Sequence, residues 1–460
     1  MLQALGLVLA RTLGRWMPDP FVLAILLSVA TAALALAWTD VTPAALLDAW
    51  AGERGIFSLL RFAMQMCLML VTGHAVAHSP PLLHLARRLA AVPRTGAQAV
   101  YLVALVTCSA ALLHWGLGLI LGAMAARLVG AALAARGVKA HYPLLCAAGY
   151  LGMMVWHGGL SGSAPLKVTQ VRDIVEVFGE PAPFAPIGLE RTLFAPLNLW
   201  ITLGLVVLLP FLAALLMPRR PELCVEATEY GVREEADAGP EPAVACGPRP
   251  WLVRVLEESP LVSLLLGVPI AVWAWRLYAQ GHGGGVLGLT PDALNLTMLL
   301  VGLLLHRTPL AYLRAVERAA PSCAGILLSF PLYGGILGMM AESGLTARLA
   351  GLAGATLGAE LLPAGTFVVA CGINLFVPSG GGQWAVQGPI AVRAALDAGV
   401  DPARIVMAVA YGDQLTNMLQ PFWALPLLAI TRVRVGDLIG YSALLMLCGG
   451  AWIGLLLLLA

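Results

Sequence analysis

Apolar runs dominate this chain and leave few folds open to it. Runs of spanning length, about 20 residues, lie near 20–38, 56–77, 192–217, 259–279, 319–341 and 435–459, with a shorter one near 292–306. Four further apolar regions are interrupted: 96–135 at HWGLG, 142–165 ending in WHGGLSGSAP, 361–396 at VPSGGGQW, and 402–431 at GDQLTNMLQP. A bilayer offers the backbone no hydrogen-bond partners, so runs of this length cross it as helices. Only 11% of the 460 residues are charged, and mean hydropathy is +0.86. A soluble domain carries roughly 25% charged residues. The chain is expected to be an all-α polytopic membrane protein.

Net charge is +2 and no long basic run occurs, which argues against nucleic acid as a partner and leaves membrane lipid as the solvent. The eight cysteines are scattered without ligand spacing and read as small packing residues. The first 20 residues have Arg11 and Arg15 behind their apolar positions and no cleavage site, as in an interfacial helix. Segment 218–258, rich in Glu, Pro and Arg, reads as a solvated linker between two halves.

Basic residues assign the sides. Arg11 and Arg15 place the N-terminus in the cytoplasm, and Arg87, Arg88 and Arg94 follow the second span. Arg127, Arg136 and Lys139 return to that side after 96–135, which fits a re-entrant hairpin. The broken segment 142–165 then crosses outward, and 192–217 leads back to a cytoplasmic linker. In the second half, 361–396 is expected to be a hairpin entering from outside, and 402–431 a broken span leading to Arg432 and Arg434. The order span, span, hairpin, broken span, span therefore occurs twice with opposite orientation. Halves 1–217 and 259–460 form an inverted-topology repeat, the architecture of alternating-access transporters.

Such breaks persist at membrane depth only where protein or a water-lined cavity satisfies the freed backbone. Hairpin tips His114–Gly118 and Pro378–Trp384 are expected to face broken spans His157–Ala164 and Gly412–Pro421. Exposed N–H groups at a half-helix start suit an anion. Gly116, Gly162, Gly380, Gly381 and Gly382 allow close backbone approach. Ser161, Ser163 and Ser379 offer hydroxyls to a carboxylate, and Gln383, Gln387 and Asn417 offer amides. Trp115, Trp156 and Trp384 provide flat walls for a short alkyl chain. His114 and His157 either contact substrate or are hydrogen-bonded packing residues. Asp413 is the only acid within the second-half breaks. An intramembrane acid points to function: Asp413 either carries a proton or helps to hold Na⁺, with Thr416, Asn374 and freed carbonyls. It could also cap a half-helix. No other cofactor is implied.

The stretches RWMPDPFVLAILL, FAMQMCLMLVTGHAVA, WGLGLILGA, WHGGLSGSAP, NLFVPSGGGQWAVQGP and AYGDQLTNMLQPFWALP resemble the short-chain fatty acid transporter family over nearly the whole chain. The resemblance implies uptake of small monocarboxylates such as butyrate or acetoacetate across the bacterial inner membrane. It also implies an ion-coupled carrier with paired re-entrant hairpins, often a homodimer, and often moving its site by an elevator-like displacement. Two other classes stay open. A cation/proton antiporter would exchange ions at Asp413 without an organic anion, and an acid-poor core argues against it. An intramembrane enzyme needs a paired nucleophile and base, for which Ser161 with His157 is the nearest candidate.

Overall fold

Proline marks where many of the long helices begin, because its fixed φ suits the first turn and its missing N–H is not needed there. The computed structural model describes residues 18–81, 91–233, 250–280, 290–356 and 358–460, together with residues 12, 84 and 88. Among them no strand occurs. The proposed N-terminal interfacial helix, most of the basic stretch 82–92 and the middle of the linker, 234–249, lie outside the described residues.

Helix α1 (Pro20–Trp38) starts at Pro20 and is capped by Asp19, whose carboxylate accepts from the Phe21 N–H at 2.9 Å. α2 spans Leu60–Ala77. α3 (Gly96–Leu113) and α4 (Trp115–Ala135) follow, separated by a single extended residue, His114. The expected broken span is α5 (Tyr142–Ala148), two 3₁₀ turns at Leu151–Met154 and Trp156–Gly158, and α6 (Ser163–Lys167). α7 (Pro196–Leu215) closes the first half. The second half contains α8 (Pro260–Tyr278), α9 (Pro291–His306), α10 (Ala324–Glu342), α11 (Leu362–Asn374) and α12 (Gly380–Asp397). α13 (Pro402–Thr416) and α14 (Pro421–Thr431) flank the turn Asn417–Leu419, and α15 (Val435–Leu459) ends the chain. Seven helices of the described residues are long and apolar enough to cross a membrane. Along α8, Leu261, Leu265, Val268 and Val272 form an exposed apolar stripe at helical spacing.

Two groups of helices assemble. In one, α1 packs along α10, α2 along α9, and α8 beside α9. In the other, α3 and α4 pack antiparallel, α7 lies against α3 and α15, α11 against α13, and α14 against α4. Gly118 makes the α3–α4 contact feasible, since a Cβ there would stand 2.5 Å from the Ala111 Cβ. The groups meet in an aromatic seam. Phe330 of α10 stacks on Phe422 of α14 with centroids 4.2 Å apart, and Phe62 of α2 lies 6.1 Å from Trp115 and 6.0 Å from Trp423.

Two observations differ from expectation. The first break is longer than His157–Ala164, because α-helical backbone stops at Ala148 and resumes only at Ser163. The start of the linker is docked, not loose. Tyr142 N–H donates to the Val225 carbonyl, Tyr230 OH donates to Asp437, and Ala227 and Val232 are buried. Lys139 pairs with Glu226, whose carboxylate raises the lysine above its ordinary value. An exposed pair of this kind adds little stability, so the buried apolar residues are the firmer anchor.

Candidate functional site

The site is built where four departures from helix meet. At the α3–α4 turn, the His114 imidazole caps α4: its Nδ1 accepts from the Gly116 N–H at 3.1 Å. The Trp115 N–H donates to Ser161 Oγ at 3.0 Å, which ties this turn to the first broken span. Leu160 N–H donates to the Leu112 carbonyl at 2.7 Å beside it. At the α11–α12 turn, Pro378 cannot continue a helix, and Ser379 caps α12 by accepting from the Gly382 N–H at 3.1 Å. Gly380 lies against the His157 ring and Ser163 Oγ. The second tip therefore touches the first break.

His157 and Asp413 bind the two broken spans together. The His157 Nε2 stands 3.0 Å from Asp413 Oδ1, and both side chains are almost wholly buried. The tautomer follows from the other nitrogen. Nδ1 accepts from the Ser163 N–H at 3.2 Å, so the proton sits on Nε2 and is donated to the carboxylate. A second ring proton would sever the Ser163 bond. The His157 backbone N–H donates to Gln414 Oε1 at 3.0 Å. Tyr150 OH reaches the carbonyls of Asn417 and Gln420 at 2.7 and 3.2 Å, a further link between the breaks.

The second-half residues form one network. Asn374 Nδ2 reaches the Asp413 carbonyl at 2.6 Å, Asn417 Oδ1 at 2.9 Å and Thr416 Oγ1 at 3.0 Å. Gln420 Nε2 donates to the Asn374 carbonyl. Gln383 Nε2 donates to the Ala370 carbonyl at 3.0 Å and to Gln387 Oε1 at 2.8 Å. In Asn374, Gln383 and Gln420 a backbone carbonyl fixes which amide atom is nitrogen. Their oxygens are then left facing the interior. Asn374 Oδ1, Gln383 Oε1, Gln420 Oε1 and Asp413 Oδ2 are buried without a hydrogen-bond partner among the described residues. Each such group costs about 1–3 kcal/mol when nothing satisfies it. Asp413 is the only buried carboxylate among the described residues, and no lysine or arginine is buried there.

His114, Trp115, His157, Ser161, Ser163, Gly380 and Asp413 are brought together, with Asn374, Thr416 and Asn417 behind Asp413. Gly116 packs against Met69, and Gly162 under the His157 carbonyl. Gly381 is exposed on the tip. Trp384 is placed differently from the expectation of an alkyl wall. Its ring is buried against Phe178, centroids 5.8 Å apart, within a separate apolar cluster containing Ala164 and Val168. Trp423, by contrast, joins Trp115 and Trp156, at 5.2 and 6.3 Å. Gln414, Gln420, Tyr150 and Trp423 were not singled out by sequence. Two of them, Gln414 and Gln420, lie inside the polar stretch GDQLTNMLQP, where every amide was a candidate by the same reasoning that selected Asn417.

A family model for short chain fatty acid transporters matches residues 1–459. A protein of Escherichia coli (strain K12), provisionally named a short-chain fatty acid transporter, is 39% identical over 457 residues, covering 98% of each chain. A Haemophilus influenzae protein of the same provisional name is 36% identical over 451 residues, covering 96% of each. Among solved structures, the Alcanivorax borkumensis YdaH transporter aligns over 96% of this chain and 97% of its own, at 18% identity and a TM-score of 0.43.

Proposed function

The chain belongs to the short chain fatty acid transporter family, a family of transporters and not of enzymes, and from that membership we propose that it takes up butyrate- or acetoacetate-like monocarboxylates by ion-coupled alternating access. The observation that carries the proposal is the meeting of four helix breaks around Asp413, a lone buried carboxylate in an apolar body. The substrate carboxylate is received at the start of α12. The first N–H groups of a helix have no intrahelical acceptor, and that end carries about half a positive charge. Gly380 and Gly381 supply such N–H groups. Ser161 accepts from Trp115, which leaves its own hydrogen to donate, and Ser163 stands beside Gly380.

The coupling ion is Na⁺, held on the other side of the His157–Asp413 pair. A proton on Asp413 Oδ2 would satisfy one unpaired oxygen, whereas a cation there would also engage the Asn374–Thr416 pair that is hydrogen-bonded at the Asp413 carbonyl. Half-helix ends and unwound carbonyls coordinate Na⁺ in transporters of this architecture. His157 donates its Nε2 hydrogen to Asp413 and keeps one oxygen of that carboxylate engaged.

Halves 1–217 and 259–460 are related as an inverted repeat with re-entrant hairpins at 96–135 and 361–396. What supports this is the exchange of partners, α1 with α10 and α2 with α9. The protein sits in the bacterial inner membrane with the N-terminus and 218–258 cytoplasmic, in line with Arg136, Lys139, Arg432 and Arg434. The test is uptake of labelled butyrate into proteoliposomes under an imposed Na⁺ or H⁺ gradient. Saturable uptake driven by Na⁺ is expected. Uptake driven by H⁺ alone would move coupling to protonation of Asp413. No butyrate flux under either gradient, with Na⁺/H⁺ exchange intact, would make the protein an antiporter.

A further inference from the structure

A polar side chain in the apolar run 192–217 reaches both broken spans at once. Asn198 lies buried in the first turn of α7. Its Nδ2 donates to the Gly158 carbonyl at 3.0 Å and to the Leu193 carbonyl at 2.6 Å. Its Oδ1 accepts from Thr202 Oγ1 at 2.8 Å and from the Tyr411 hydroxyl at 3.0 Å. A carbonyl only accepts, so the nitrogen faces the two carbonyls and the amide has one orientation. All four of its hydrogen bonds are made. An amide held this way in a dry interior cannot shift without leaving a buried group unpaired.

The residues that Asn198 joins flank the His157–Asp413 pair. Gly158 directly follows His157 in the first break, and Tyr411 precedes Asp413 by two positions on α13. Side chains two apart on a helix do not face the same way. Tyr411 therefore reaches α7 while Asp413 faces His157. On the other side α7 fits closely against the break, since a Cβ on Gly158 would collide with Thr202 Oγ1. Two struts thus connect the first break to α13: the His157–Asp413 bond, and the chain from Gly158 through Asn198 to Tyr411. The second fixes the gap that the first closes at 3.0 Å. Hydrogen bonds weaken steeply as their geometry degrades, so the spacing matters.

We propose that Asn198 is a positioning residue for the His157–Asp413 pair. It holds the first break at the distance from α13 at which His157 engages one oxygen of Asp413 and leaves the other for the coupling ion. The proposal rests on the ion coupling at Asp413 put forward above and adds α7 to the elements that set it.

Tyr411→Phe and Thr202→Ala each remove one hydroxyl donor from the same Asn198 oxygen, but only Tyr411 carries the connection to α13, because Thr202 belongs to α7 itself. In proteoliposomes, the half-saturating Na⁺ concentration for butyrate uptake, or the midpoint pH where protons drive it, is measured beside the KM of butyrate–butyrate exchange. Tyr411→Phe should raise the half-saturating Na⁺ about tenfold, or move the midpoint by about one pH unit, the scale of one neutral hydrogen bond. Its exchange KM should stay at the parent value, and Thr202→Ala should change neither quantity. Equal shifts in the two variants overturn the proposal, since they mark a structural role for the amide, and so does a parallel rise in the exchange KM. Asn198→Gln keeps the amide and lengthens the strut by one methylene. It should also weaken the ion dependence, and it decides the question if Tyr411→Phe does not fold; a parent-like ion dependence in it overturns the proposal. A parent whose uptake follows neither ion overturns the coupling reading and this one with it, whereas an ion-dependent parent matched by its variants removes the positioning role alone.

Discussion

At Gly380 a Cβ would stand 2.7 Å from both Cε1 and Nε2 of His157 and 2.9 Å from Ser163 Oγ. At Gly372, in the same hairpin, it would meet nothing within 4 Å. Gly380→Ala must therefore push the start of α12 away from the His157–Asp413 pair. A displacement of that kind costs on the order of a hundredfold in rate. Initial uptake rates should fall by that order in Gly380→Ala and stay at the parent level in Gly372→Ala; similar rates in the two would mean that the tip is not positioned by this contact. His157→Ala removes the donor from a buried carboxylate, and stripping one partner from a buried pair costs about 3–5 kcal/mol. A large drop in the thermal unfolding temperature in detergent is expected, and an unchanged melt would contradict the pairing. Asp413 was legible in the sequence because a charge in an apolar run is costly and conspicuous. Its partner was not: His157 lies 256 residues away, and only the fold identifies it. Trp384 was misplaced for the related reason that an indole beside a glycine turn can face either side of its helix.

Among the elements, the α3–α4 hairpin depends on the close approach at Gly118. Its Cβ would come within 2.5 Å of the Ala111 Cβ and 2.7 Å of the Ala111 Cα. Gly118→Val should splay the arms, lower the unfolding temperature and reduce uptake, whereas a wild-type melt and rate would show that the arms can part freely. The helices themselves were readable from run length and from proline at their starts. Their ends inside the breaks were not, because Gly149–Gly162 pairs locally in 3₁₀ turns and with distant residues such as Leu112 and Gln414. The docked start of the linker was hidden by composition. Charged residues predict solvation, yet Ala227 and Val232 bury themselves while Glu226 and Glu229 cap their own turn.

On the scale of the whole molecule, the proposed topology makes an accessible prediction. Cysteines placed at the exposed positions Glu180 and Asp397 should react in intact cells with an impermeant thiol reagent. One at the exposed Glu222 should react only after the membrane is opened; the reverse pattern would invert the whole assignment of sides. The pairing of α1 with α10 and α2 with α9 could not be read from the order of runs and breaks, since lipid-facing and protein-facing apolar residues look alike in sequence. The proposed ion coupling is set at Asp413, which is bonded to the first break through His157. Asp413→Asn tests it most directly, with labelled butyrate accumulation under an ion gradient measured beside butyrate–butyrate exchange without one. The variant should lose gradient-driven accumulation while exchange continues. Accumulation that still follows the gradient as in the parent would contradict it.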